Sequence, residues 1–173
     1  MMDEKMMQHG QDWDGRNVSY YIATEKFNGC RAYWDGVEMW SRGGLKIKLP
    51  ESWRAILPTG VHLDGEIYDG IDGVYRCGAA IKYGRFSESM KFIAFDCPTA
   101  KGDYVARIKC IDRYISGPIT VVKYCYSKNF KELVSLLKSI TARGGEGLML
   151  RRLDLQYTSG RTDKLLKLTT AIL

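Results

Sequence analysis

Two aromatic runs, CRAYW (30 to 34) and VEMWS (37 to 41), meet at the dipeptide Asp35-Gly36. An Asp-Gly pair between such runs favours the tight turn of a hairpin, because glycine accepts a positive φ without steric cost. A hairpin imposes antiparallel pairing, which argues against a purely parallel, doubly wound sheet. Around it, strand and helix signals are interspersed without regular alternation. VSYYIAT (18 to 24) reads as a strand running into Glu25 and Lys26, and PESWRAILP (50 to 58) suits a short helix with Pro50 near its first turn. VHLDGEIYDG reads as a strand on which Asp64 and Glu66, two positions apart, share a face.

Downstream, a helix is expected over 72 to 83, a buried strand in KFIAFD (91 to 96), a helix over 103 to 116 and a strand over 119 to 126. The clearest helix covers 129 to 142. There Phe130, Leu133, Val134, Leu137 and Ile140 form an apolar stripe, Asn129 and Glu132 resemble a capping box, and Gly144-Gly145 follows the end. GLMLRR and DKLLKLT add two strands around a polar turn near 158 to 160. The fold class is α+β, with mainly antiparallel sheets flanked by helices.

A chain of 173 residues holds one domain of ordinary size. Residues 1 to 17 are polar and aperiodic, so they read as a lead-in to a domain over 18 to 173. No apolar run approaches the roughly 18 residues of a membrane span, and the N-terminus builds no secretory signal. An intracellular protein without membrane contact is expected. Five cysteines with no C-x-x-C pair suggest reduced packing residues. The net charge of +6 is unevenly spread: residues 1 to 100 carry −2 and residues 101 to 173 carry +8. A basic second half suits a polyanionic partner such as nucleic acid.

Several residue types carry possible chemistry. Lys26, at a strand end, is a nucleophile once its amine is uncharged. Glu66 with Asp64, and Glu146 among glycines in RGGEGLMLR, supply hard carboxylate oxygens of the kind that hold Mg²⁺ together with phosphate and water. An aromatic of KFIAFD facing a nucleotide offers a stacking platform, while Phe92 fits the core. Lys164 and Lys167 can reach phosphates or simply point outward from an edge strand. No Walker loop and no Ser-His-Asp arrangement are present.

Taken in order, EKFNGCRAYWDG, WSRGG, LDGEIYDG, FIAFDCP, GGEGLMLR and LLKLT resemble the covalent nucleotidyltransferases, specifically the adenylation domain of small ATP-dependent DNA ligases. The resemblance spans about 19 to 169. It implies a ligase-type nucleotidyltransferase (ATP-grasp-like) fold, ATP and Mg²⁺ (or Mn²⁺) as cofactors, and a monomer acting on nicked duplex DNA. Lys26 would carry AMP, pass it to the 5′-phosphate of a nick, and the 3′-hydroxyl would seal the strand. The resemblance places Thr24 and Glu25 at the adenine edge, and Arg31 and Arg42 on ribose or phosphates. Glu66 falls on ribose or metal, Phe95 on the adenine face, Glu146 on metal and Lys167 on the α-phosphate, with Asp64 in support. The pattern K-x-D-G-x-R departs at Asn28, and the late K-x-K departs at Thr169. Ligases of this kind continue into an OB-fold domain, expected here to be absent or separate, so this sequence is read as either a fragment of a longer protein or a stand-alone domain, whose first step, if it is complete, should be slow or need a partner. RNA ligases and mRNA-capping guanylyltransferases share the lysine chemistry, and a non-catalytic nucleotide- or nick-binding module is the alternative from another class.

Overall fold

The computed structural model describes Met2 and residues 4 to 173. Ten strands form two five-stranded sheets. In chain order they are β1 (Gln8–Asp12), β2 (Tyr21–Lys26), β3 (Cys30–Trp34), β4 (Met39–Ser41), β5 (Leu63–Tyr68), β6 (Lys91–Asp96), β7 (Ile119–Val121), β8 (Tyr124–Tyr126), β9 (Gly147–Arg152) and β10 (Gly160–Leu168). The first sheet runs β1-β10-β9-β2-β8 and the second β4-β3-β5-β6-β7. Among the described residues only the β1–β10 and β6–β7 pairings are parallel. The expected α+β class with mainly antiparallel sheets is therefore the class observed.

The hairpin is built as its sequence demands. Asp35 N–H donates to the Glu38 carbonyl, its carboxylate accepts from the Val37 and Glu38 N–H groups, and Gly36 takes φ 91°. Four helices cover the sheets: α1 (Glu51–Arg54), α2 (Val74–Tyr83), α3 (Tyr104–Ile111) and α4 (Phe130–Ala142). Asn129 caps α4 by accepting from the Glu132 N–H. Leu133, Leu137 and Ile140 bury the face of α4 against Leu148, Leu150, Leu166 and Leu168 of the first sheet. The second sheet closes a larger core with Trp34, Leu63, Ile67, Phe92, Ile108, Ile111 and Ile119. Each such fully buried side chain contributes about 1.5 to 3 kcal/mol.

Three expectations are corrected. The polar lead-in over 1 to 17 contains β1, an edge strand bonded to β10; polar sequence suffices there because an edge gains most from its backbone ladder. The strand expected over 119 to 126 is two strands in different sheets, since Val122 N–H still bonds to Ala94 while Tyr124 already pairs with Thr24. The helix expected over 103 to 116 ends at Ile111 and continues as a 3₁₀ turn, Asp112–Tyr114.

The chain passes from the first sheet to the second directly after Lys26, through residues 27 to 29 into β3. Gly29 permits this passage: a Cβ there would lie 2.2 Å from the Ile67 carbonyl oxygen and 2.9 Å from Glu66 Cγ. The crossing leaves Lys26 at the end of β2 in one sheet and Arg31 near the start of β3 in the other.

Candidate active site

A cleft of about 540 Å³ opens where the two sheets meet. Thr24, Glu25, Lys26, Arg31, Arg42, Glu66, Phe95, Glu146 and Lys167, all singled out from the sequence, line it together. The topology explains this convergence. Lys26 pairs with Gly147 across β2 and β9, which sets Glu146 beside it, and Lys167 lies opposite Met149 on β10. From the second sheet, Arg31 lies opposite Glu66, and Phe95 comes from β6.

Four cations of the cleft, Lys26, Arg31, Arg42 and Lys167, are matched by carboxylates. Lys26 Nζ donates to Glu146 Oε1 at 2.5 Å. Arg31 grips Asp64 with two parallel bonds, Nε to Oδ1 at 2.8 Å and Nη2 to Oδ2 at 2.6 Å, and also donates to the Gln8 carbonyl at 2.8 Å. Arg42 donates to Glu4 at 2.7 Å, and Lys167 lies 3.8 Å from Asp12. Glu25 is held by Arg143. Burial opposes the charge of Arg31, but the Asp64 carboxylate outweighs it and the guanidinium is held more firmly protonated than usual. Such paired cations can exchange a carboxylate for a phosphate without being left uncompensated.

Glu66 differs from these acids. Its carboxylate accepts the Gly29 N–H at 3.2 Å and has no ion-pair partner within 4 Å among the described residues. Burial pushes it up to about 7, against the opposing pull of Arg31, the Gly29 N–H and Lys26. Among the described residues no group of three or more His, Cys, Asp or Glu side chains gathers as a ready-made metal cage. Two carboxylates on one cleft, Glu66 and Glu146, fit a Mg²⁺ whose remaining ligands are phosphate oxygens and water.

Phe95 lies under two guanidinium groups, Arg31 at 5.2 Å and Arg151 at 5.3 Å from the ring centre. Arg151 was not anticipated, nor were Tyr157, Gln8 and Arg161, which also line the cleft. Tyr157 donates to Asp64 and accepts from the Gln8 N–H, tying β1 to the arginine site. A period-2 reading of GLMLRR sets Met149 and Arg151 opposite the core leucines 148 and 150, and so carries a signal for Arg151. Nothing local marks Tyr157. Asn28 is exposed at the cleft wall, and Asp64 is buried and bonded to Arg31.

No protein-family model matches the chain. A DNA ligase of Haemophilus influenzae is 24% identical over 165 residues, a match covering 92% of this chain and 61% of that protein. This chain thus spans about three fifths of the curated relative's length. Among solved structures, a Lig E DNA ligase superposes with TM-score 0.84 at 28% identity, over 95% of this chain and 68% of that one. The Chlorella virus DNA ligase-adenylate gives 0.80 at 22% identity, with the same shares covered. These three relatives are DNA ligases, in agreement with the main reading. No helix among the described residues is long and apolar enough to cross a membrane. In motif order, fold and sequence, this chain is similar to the nucleotidyltransferase domain of ATP-dependent DNA ligases.

Proposed function

We propose that this domain joins polynucleotide ends at nicks in duplex DNA, using ATP and Lys26 as the nucleophile. The observation that carries the proposal is the placement of Lys26 at the junction of both sheets, with Glu146 on its amine and Glu66, Phe95, Arg31, Arg42 and Lys167 around one cleft.

The first step begins when the Lys26 ammonium leaves Glu146 and gives up a proton. Its lone pair forms an N–P bond to the α-phosphorus of ATP, the α–β anhydride bond breaks, and pyrophosphate departs. An oxygen of the 5′-phosphate at the nick then displaces the lysine, forming a DNA–adenylate. The 3′-hydroxyl attacks that 5′-phosphorus, loses its proton, and AMP leaves as the phosphodiester closes. Positioning and charge neutralisation supply most of the rate in transfers of this kind.

Within this reading Thr24 and Glu25 meet the adenine edge, and Phe95 stacks on the base. Arg31, kept on Asp64, turns a remaining N–H to ribose or phosphate oxygens, Arg42 exchanges Glu4 for one, and Lys167 takes the α-phosphate. Glu66 and Glu146 would hold Mg²⁺, or Mn²⁺, whose positive charge offsets the charge of the phosphates. The remaining partner is nicked duplex DNA, and the protein acts as a monomer.

Intact-mass measurement after incubation with ATP and Mg²⁺ tests the assignment. One AMP per chain is expected in the wild type and none in Lys26→Ala. An adduct that persists in Lys26→Ala refutes the nucleophile, and an adduct formed from GTP but not ATP refutes the ligase reading in favour of a guanylyltransferase.

A further inference from the structure

Arg151 is a buried cation that the proposed reaction does not use. It is 3% exposed, and among the described residues no carboxylate lies within ion-pair distance of it. Its guanidinium lies against the rings of Tyr104 at 4.7 Å and Phe95 at 5.3 Å. Nη1 donates to Thr24 Oγ1 at 2.9 Å, and Nε is buried without a hydrogen-bond partner. An unpaired charge in such a place is unfavourable for folding, so packing alone is a poor reason for it.

The direction of the Arg151–Thr24 bond has a chemical consequence. A guanidinium can only donate, so Thr24 Oγ1 is committed as its acceptor and cannot aim its own hydrogen at Arg151. Among the described residues the Thr24 hydroxyl has no acceptor of its own, and it borders the cleft. Thr24 thus presents a hydrogen-bond donor to whatever base rests near Phe95. Adenine offers an unprotonated N1 to such a donor. Guanine carries a hydrogen on N1 and could meet Thr24 only at its second lone pair, which leaves the buried hydroxyl hydrogen without an acceptor.

We propose that Arg151 is a positioning residue for purine selection: by holding Thr24 Oγ1 as an acceptor, it fixes the Thr24 hydroxyl as a donor to N1 of adenine. The proposal rests on the nucleotide reading of the cleft given above, and it adds a residue that acts through Thr24 without touching the nucleotide's reacting atoms. Arg151 also packs on the Phe95 ring, which couples the base-edge contact to the stacking ring.

The test is equilibrium binding of ATP and of 1-deaza-ATP, which lacks the N1 acceptor, by titration calorimetry on the full 173-residue chain. Binding is used so that the result does not depend on adduct formation. The wild type should prefer ATP by about tenfold, the effect of leaving one buried donor unmet. Thr24→Ser, which keeps the hydroxyl, should retain that preference, and Thr24→Val should lose it. Arg151→Met and Arg151→Gln should bring the preference close to one, with no further loss when either is combined with Thr24→Val. A wild type that binds both nucleotides equally, or an Arg151 variant that keeps the preference, overturns the proposal. So do Arg151 variants that fail to fold, since they assign the side chain a structural role. An AMP adduct in the wild type together with any of these results leaves the ligase reading standing, whereas absence of ATP binding removes both.

Discussion

Asp64→Asn isolates the electrostatic foundation of the cleft. Asp64 is 0% exposed and receives three hydrogen bonds, two from Arg31 and one from the Tyr157 hydroxyl at 2.5 Å. Asparagine keeps the shape but removes the charge, and it turns one oxygen into an NH₂ that must face donors. Breaking a buried ion pair from one side costs about 3 to 5 kcal/mol. For 173 residues the unfolding entropy near the midpoint is roughly 0.36 kcal/mol per kelvin, so Tm should fall by about 8 to 14 °C. Tyr157→Phe leaves both arginine bonds intact and removes two hydrogen bonds, one to the Asp64 carboxylate and one accepted from the Gln8 N–H, together about 2 to 4.5 kcal/mol, or roughly 6 to 12 °C. Reversible thermal melts followed by far- and near-ultraviolet circular dichroism measure both, provided the two signals coincide. An Asp64→Asn shift below about 3 °C would refute the claim that the Arg31–Asp64 pair is desolvated and structurally coupled.

Two other outcomes follow from the same cleft. Glu66 has its folded-state value raised to about 7 from 4.5, so the folded protein binds more protons than the unfolded chain between those values, and stability must decrease as pH rises through that window. The penalty approaches about 3 kcal/mol above pH 7 and should vanish in Glu66→Gln; urea titrations whose pH profiles run parallel for the two proteins would contradict it. Affinity for nicked duplex DNA should weaken with salt at a log–log slope of about −2 to −3, if Arg42, Arg161 and Lys167 each meet a phosphate, and Arg161→Ala should reduce the slope by about 1. A flat dependence would remove DNA phosphates from the cleft.

Much of the fold was legible because local signals and tertiary needs agree. Asp35-Gly36 demands a turn, Asn129 offers a cap, and the stripe through Leu133, Leu137 and Ile140 has one sheet to cover. The errors fall where a neighbour decides. β1 has no apolar alternation because its partner, β10, supplies the order. The run 119 to 126 has uniform β propensity, yet pairing with β6 at one end and β2 at the other cuts it in two. Arg107 shows the same limit: it sits in a helix that reads as amphipathic, but it is buried and bonded to Asp96 and the Leu155 carbonyl. Propensity cannot indicate that a cation will find both partners inside.

The candidate site divides along a related line. Residues that would touch the nucleotide carry an ordered signature, from Lys26 to Lys167, because chemistry restricts both their type and their sequence of appearance. Residues that hold those groups in place have no such restriction, since any donor at the right point in space will serve. Asp64 was readable only as a neighbour of Glu66, and Tyr157 not at all, although it lies 93 positions from the carboxylate it supports. Arg151 is intermediate: strand alternation assigns its face, but only the register of β9 against β2 brings it to Thr24. Selectivity between purines therefore depends on a contact across 127 positions, which the sheet specifies and the motif does not.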